Sequence, residues 1–365
     1  MEPLLAAAIG FLASIGITPL AGKLAHRFGV LDHPDSGPEQ RKMHSVATPY
    51  LGGVAIFTGL AAGAVFLLLV GPTETVLTSR RLLLGIGLAI AVGIVGLVDD
   101  IKPLPSGVRL AVQIGAALGA WAVGFRAQPT DVLAVNFILT TLWIVGITNS
   151  FNLLDNMDGL SSGLAAIAAG SFAIMGVLEG LTLIPIVAGA LAGAAFGFLV
   201  HNRPPARIFM GDAGSLFLGF LLAVIGIELR FDNLVQVTFL VPVVVLGLPI
   251  FDTTLVVLSR LRSHRPIGKA ARDHVSHRLI AIGLPVKEAV LLLYWTAICL
   301  GWLGMIISRA NTQVGWMLLV FVFALGIFFG RLLWQVPTVA PGTLAKNQAR
   351  LDAPVSVEAR QKVAE

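Results

Sequence analysis

Charge is what this sequence has least of. Only 12% of its 365 residues are Asp, Glu, Lys or Arg, against 56% hydrophobic ones, and a water-soluble fold cannot cover itself with so few charges. That shortage excludes soluble enzymes, DNA-binding modules and secreted scaffolds. Cysteine is nearly absent as well. The single Cys299 excludes a disulfide framework and a Cys-based zinc site, and its place in an apolar run predicts a buried packing role. The start of the chain lacks the basic stretch of a secretory leader. It carries Glu2 before the apolar run and Lys23, His26 and Arg27 after it, so the first segment reads as a retained span.

The apolar residues fall into runs of near-membrane-spanning length with the charges collected between them, the layout of an all-α, polytopic membrane bundle. Runs at 1–20, 51–70, 82–98, 108–125, 132–147, 160–178, 181–200, 215–229, 235–258, 289–307 and 314–334 predict about 11 transmembrane helices. Forty glycines favour close helix packing. Placing the N-terminus outside and the C-terminus in the cytoplasm puts twenty of the 25 Lys and Arg on the inner side. The outer side keeps only Arg80, Arg81, Arg126, Arg230 and Arg309, as the positive-inside rule requires. Residues 1–335 thus form the membrane domain, with cytoplasmic loops at 21–50, 99–109, 148–160, 201–214 and 259–288. The polar, Pro- and Gln-containing stretch 336–365 is expected to be a disordered cytoplasmic tail.

Acids follow the same partition. Asp99, Asp100, Asp155, Asp158, Asp212 and Asp273 lie in inward loops or at the helix ends that meet them. Interfacial capping explains each one singly; the set, accompanied by asparagines and histidines, points to a shared cytoplasmic site. Asp99 and Asp100 end an apolar span, where two acids oppose the helix dipole. Neighbours on a helix point about 100° apart, so one carboxylate faces a metal or substrate while the other pairs with Lys102 or Arg109. In residues 149–163 (NSFNLLDNMDGLSSG) polar groups recur at Asn149, Asn152, Asp155 and Asp158, a stripe of oxygens suited to a hard cation. Helix termination with Asp158 or Ser161 as a cap explains the same residues. Residues 209–215 (FMGDAGS) precede a span: their glycines admit close backbone approach and a helix start favours phosphate. With Arg203 and Arg207 upstream they suit a nucleoside diphosphate, with Asp212 for Mg²⁺ and Phe209 for the base; Asp212 as a helix cap is the alternative. The last inward loop is the most basic, and a polybasic surface explains most of its charge. It does not explain His274 and His277 beside Asp273 and Arg278, and no third His or Cys completes a hydrolytic zinc site.

Together these stretches resemble the polyprenyl-phosphate N-acetylhexosamine-1-phosphate transferase family, in particular bacterial undecaprenyl-phosphate GlcNAc-1-phosphate transferases. The likeness rests on five motifs in order: 41–53 (RKMHSVATPYLGG), 99–102 (DDIK), 149–163, 209–215 and 272–278 (RDHVSHR). It implies a multi-pass protein of the bacterial plasma membrane that moves GlcNAc 1-phosphate from UDP-GlcNAc to a polyprenyl phosphate lipid, with Mg²⁺, or Mn²⁺ in its place. No nucleic acid is involved, and a homodimer is left open. By the same resemblance Asp99, Asp100, Lys102, Asp155 and His274 are catalytic. Asp99 orients or deprotonates the lipid phosphate and Asp100 holds the nearby cation. Asp212 and Asn152 hold the metal. Lys42, His44, Asp158, Phe209, His277 and Arg278 bind substrate, Phe209 and Asp158 on the uridine side, His274 and Arg278 at the diphosphate. Family members commonly have a basic residue near Gly107; here Lys102 or Arg109 takes that role. The phospho-MurNAc-pentapeptide branch carries consecutive histidines in its last loop, whereas this chain has 274–277 (HVSH), which favours the GlcNAc branch. The competing class, an ion-coupled transporter, would place its acids near mid-membrane and show matched halves; no internal repeat is visible, and only Asp252 falls inside a span.

Overall fold

The computed structural model describes residues 1–33, 47–70, 80–229, 238–266 and 272–336. It is an α-helical bundle. The long helices are α1 (Glu2–Phe28), α2 (Gly52–Val70), α3 (Arg80–Ile101), α4 (Ser106–Val123), α5 (Leu133–Leu154), α6 (Leu160–Leu178), α7 (Leu183–Asn202) and α8 (Gly211–Glu228). After a 3₁₀ turn come the short α9 (Val241–Val245), then α10 (Gly247–Arg262), α11 (Val275–Ala281), α12 (Val286–Arg309) and α13 (Thr312–Trp334). One antiparallel pair, Leu31–Asp32 with Thr48–Pro49, is the only β-structure among the described residues.

Nine of the helices described are long and apolar enough to cross a membrane. They differ in what covers their apolar surface. The central one is α8, 89% buried across its span, whereas α13 is 6% buried and turns Phe321, Phe328 and other large apolar side chains outward. An apolar surrounding such as lipid makes the second arrangement favourable. Cys299 lies on such an exposed surface of α12, so the buried role expected for it is corrected: helices at the edge of a bundle face lipid, and an apolar run does not reveal which side faces inward.

Small residues set how closely the helices approach. Along α7, Gly189, Gly193 and Gly197 recur every fourth residue and face α1; a Cβ on Gly193 would lie 1.9 Å from the Ala7 carbonyl oxygen. Backbone therefore packs on backbone, as in small-residue seams of membrane helices. The run expected as one span over 235–258 is interrupted instead, α9 ending and α10 beginning at Leu246. Pro249 has no N–H to return to the Val245 carbonyl, and its ring crowds that position. The break sets Asp252 into the protein interior, fully buried.

Candidate active site

The site starts from two adjacent acids whose side chains diverge. Asp100 points beneath the start of α8, accepting hydrogen bonds from the backbone N–H groups of Asp212 (2.8 Å) and Ala213 (3.0 Å). It supplies from another helix the cap that Met210, at the N-cap position, does not provide. Gly211 is required here: its φ is +73°, and a Cβ would lie 2.4 Å from Asp100 Oδ2. Asp212 is thus released from capping and available for chemistry.

Asp99 turns the other way. Its Oδ1 accepts from the Leu104 N–H at 2.5 Å and its Oδ2 from Arg109 at 2.7 Å. The same Arg109 nitrogen donates to Asp212 Oδ2 at 2.5 Å, and Asn152 Nδ2 donates to Asp212 Oδ1 at 2.8 Å and Ser215 Oγ at 3.1 Å. These contacts correct the expected division of labour. The cation is held by Asp99 and Asp212, while Asp100 caps a helix. Lys102 stands exposed beyond the end of α3, without an ion pair among the described residues. The chain reverses through Pro103 and Pro105, with the Leu104 N–H tied to Asp99, and so returns Arg109 over the carboxylates. Arg109, and not Lys102, is the basic residue that reaches these carboxylates.

The polar stripe of 149–163 does not stay on one face, because α5 ends at Leu154. Asn149 donates to the buried Gln113 at 2.5 Å, Asn152 reaches Asp212, and Asp158 accepts from the Ala206 N–H at 2.8 Å. Asp155 is the C-cap residue of α5. Burial pushes its carboxyl well above the usual carboxylate range, and the charges of Asp212, Asp100 and Asp158 push it the same way. Negative charge is therefore crowded at this end of the bundle.

Beside it, Tyr50 packs on Phe209 with ring centroids 5.8 Å apart. The two segments are joined by backbone hydrogen bonds from Phe209 N–H to Pro49, Gly52 N–H to Phe209 and Gly53 N–H to Met210. Burial, with the carboxylates of Asp32, Asp100 and Asp155 around it, raises the Tyr50 phenol beyond its ordinary range. Tyr50 lies in the 41–53 motif without a role of its own there and Asp32 lies outside every motif; their closeness in space to the acids marks them as site residues. Arg203 and Arg207 are exposed on the adjoining loop. Lys42 and His44 lie outside the described residues.

The last loop forms a second cluster. Arg260 and Asp273 make a bidentate pair at 2.8 Å on both arms, their side chains 2% and 3% exposed. Burial alone would raise Asp273, but the hydrogen bonds and charge of Arg260 hold it below the usual carboxylate range. Asp252 receives His274 Nδ1 at 2.7 Å and the Val275 N–H at 2.7 Å. Arg278 corrects an expectation: its guanidinium donates to the carbonyls of Asp273, Leu333 and Val336 and to Ser259 Oγ. It is a buried fastener between this loop and the end of α13, with four of its five N–H donors engaged within the protein. His277 is buried beside His274, and its imidazole is pushed down to about 4 by burial and by the charges of His274 and Arg272. Ser276 donates to Asn156 Oδ1 at 2.8 Å, joining the loop to the acid cluster.

Residues 81–230 match the family model described as glycosyl transferase family 4. Over 332 residues, 88% of this chain and 88% of the relative, the sequence is 32% identical to the "Probable undecaprenyl-phosphate N-acetylglucosaminyl 1-phosphate transferase" of Bacillus subtilis (strain 168). The chain belongs to the polyprenyl-phosphate N-acetylhexosamine-1-phosphate transferases of glycosyl transferase family 4. Within that family it is also 33% identical, over 81% of its length and 80% of the relative's, to the decaprenyl-phosphate N-acetylglucosaminephosphotransferase of Mycobacterium leprae (strain TN). The phospho-N-acetylmuramoyl-pentapeptide-transferase of Bacillus licheniformis is 32% identical over 79% of this chain and 92% of that protein. All the acids gathered around Arg109 fall within the matched 81–230; the His274 cluster lies beyond it.

Proposed function

We propose that the protein transfers N-acetylglucosamine 1-phosphate from UDP-GlcNAc to a polyprenyl phosphate, giving polyprenyl-diphospho-GlcNAc and UMP at the cytoplasmic face of a bacterial plasma membrane. The observation that carries this reading is the convergence of Asp99, Asp212, Asn152 and Arg109 at one end of the bundle, on helix ends and not at mid-membrane. A lipid phosphate and a water-soluble sugar nucleotide meet only at such a surface, and an ion-coupled transporter would need its acids deeper. The N-terminus outside and eleven crossings, counting α2 and the broken α9–α10 with the nine longer helices, belong to the same proposal.

A phosphate oxygen of the lipid attacks the sugar-bearing phosphorus of UDP-GlcNAc, and the bond from that phosphorus to the bridging oxygen breaks, releasing UMP. The second pKa of a phosphomonoester is about 6, so the attacking group is largely dianionic at neutral pH and no strong base is required. Asp99 orients it, and Arg109 neutralises charge as it develops. Phe209, with Tyr50 against it, offers an aromatic face to the uracil.

The donor set fits Mg²⁺, and Mn²⁺ by the same oxygens. Asp212 has its carboxylate shared between Asn152 and Arg109, and Asp155 is raised by surrounding charge, so the cluster calls for a further cation. Among the described residues no three His, Cys, Asp or Glu side chains form a cage for an ion, which suits a cation that takes one or two carboxylates and completes its shell with water and substrate phosphates. Asp212, with Asn152 beside it, would hold the ion, which supplies neutralisation of the diphosphate. In detergent, purified protein given undecaprenyl phosphate and UDP-GlcNAc should release UMP and form the lipid-linked sugar. Absence of UMP with every UDP-N-acetylhexosamine would overturn the reaction.

The similarity to phospho-N-acetylmuramoyl-pentapeptide transferases supports a second donor, UDP-MurNAc-pentapeptide. With both nucleotides competing for limiting lipid phosphate, the GlcNAc lipid should predominate; the pentapeptide lipid in excess would reassign the branch and leave the reaction class standing.

A further inference from the structure

Asp252 lies outside the five motifs and is the most deeply buried acid of the second cluster, with no accessible surface. Both of its oxygens are committed: Oδ1 accepts from the Val275 N–H and Oδ2 faces His274 Nδ1, each at 2.7 Å. A carboxylate is only an acceptor, so His274 must carry its proton on Nδ1. The other nitrogen, Nε2, has no hydrogen-bond partner among the described residues; Asp273 Oδ1 lies 4.0 Å away, and Asp273 is already engaged by both arms of Arg260. The helix that carries His274 at its N-cap is joined to the acid cluster through Ser276 and Asn156. We propose that Asp252 is a positioning residue: it fixes the Nδ1–H form of His274 and directs Nε2 toward the diphosphate of the sugar nucleotide.

The proposal rests on the transferase reading above. With Nδ1–H committed to Asp252, the imidazole meets a phosphate oxygen as an imidazolium donating from Nε2. Asp252 is the counter-charge behind it. With the carboxylate behind it the ring stays positive while Nε2 donates; a neutral Nε2–H tautomer would still donate, but without that charge.

Asp252→Asn separates these effects. The amide is the same shape, and its oxygen still accepts from the Val275 N–H, so the helix start keeps its cap. Its NH₂ then faces His274 Nδ1, which must accept, and the proton moves to Nε2 on an uncharged ring. In protein selectively labelled with ¹⁵N-histidine, in detergent and with the resonance assigned through His274→Gln, Nδ1 should be protonated in the wild type and deprotonated in Asp252→Asn. In the UMP-release assay kcat should fall by on the order of 10²-fold while KM for UDP-GlcNAc changes little, as when an interaction made in the transition state is lost. The melting temperature should stay close to wild type.

An unprotonated Nδ1 in the wild type overturns the proposal, and so does a wild-type kcat in Asp252→Asn despite the tautomer change. A fall in kcat with Nδ1 still protonated also overturns it, because Asp252 would then act by another route. Failure of the transferase reading looks different: no UMP from the wild type with any UDP-N-acetylhexosamine, whatever the tautomer of His274.

Discussion

The two acid clusters are joined by a hydrogen bond between Asn156 and Ser276, yet they are built on opposite terms. In the last loop charges are matched. Asp273 meets Arg260 on both arms, Asp252 meets His274, and Arg278 fastens the loop to the end of α13. Around Asp212 they are not: Asp99 and Asp212 share the single guanidinium of Arg109, and Asp155 has no ion pair among the described residues. The carboxyls differ as well: Arg260 holds Asp273 below its ordinary range against its burial, while burial, and then the neighbouring carboxylates, push Asp155 above it. The matched cluster is tied into the fold; the unmatched one is where we propose that a cation and a ligand bind. His274 stands between the two, one nitrogen tied into the scaffold and the other left over.

The largest expected effect comes from breaking the matched pair. Asp273→Ala leaves Arg260 buried without its counter-charge, which costs about 3–5 kcal/mol. Denaturation in detergent should show the loss, with activity falling only as far as folded protein is lost. Asp212→Asn tests the other side of the comparison. It should keep its melting temperature within a few degrees, because Asp100 and not Asp212 caps α8, while kcat drops by roughly 10²-fold or more. An unfolded Asp212→Asn protein would place Asp212 in the scaffold.

Asp99 and Asp100 should also separate. Asp100→Asn can keep one acceptor but loses its second, so α8 loses part of its cap, about 1 kcal/mol of stability. Asp99→Asn should lower kcat and leave UDP-GlcNAc binding, read by isothermal titration, largely intact. Equal losses of binding in both variants would contradict the division seen in the structure.

Much of this was legible in the sequence and some was not. The membrane bundle follows from where the charges are missing, and the acids were traceable to one end because their loops share a side. Which carboxylate of Asp99 and Asp100 holds Arg109 was not legible, since that depends on the rotation of α3 against α8. Nor was it legible that Arg278 is held by carbonyls; only the fold brings those of Leu333 and Val336 to it. Asp252 looks like an isolated acid in a span unless Pro249 is taken to break the helix, and that proline is the available signal.

Asp155 and His277 give the smallest effects, and both depend on pH. The folded-state pKa of Asp155 is raised above an unfolded value of about 3.9. Stability is therefore fully present below that value and is lost as pH rises through the raised one. Asp155→Asn, neutral throughout, should melt higher than wild type at pH 7, and the difference should shrink as pH falls toward about 3.9. His277 has the opposite dependence. Its pKa is depressed to about 4, so stability is lost as pH falls from the unfolded value of about 6.5 through 4, and His277→Gln should flatten that decline.

The most direct test of the contrast is the melting temperature in detergent against Mg²⁺ concentration, for wild type and Asp212→Asn side by side. An ion that binds only the folded state at a hundred times its Kd stabilises by about 2.7 kcal/mol. The wild type should therefore melt progressively higher as Mg²⁺ is added, and Asp212→Asn should lose most of that rise. An equal rise in the two proteins, or none in the wild type, would contradict the assignment of the unmatched carboxylates to a cation.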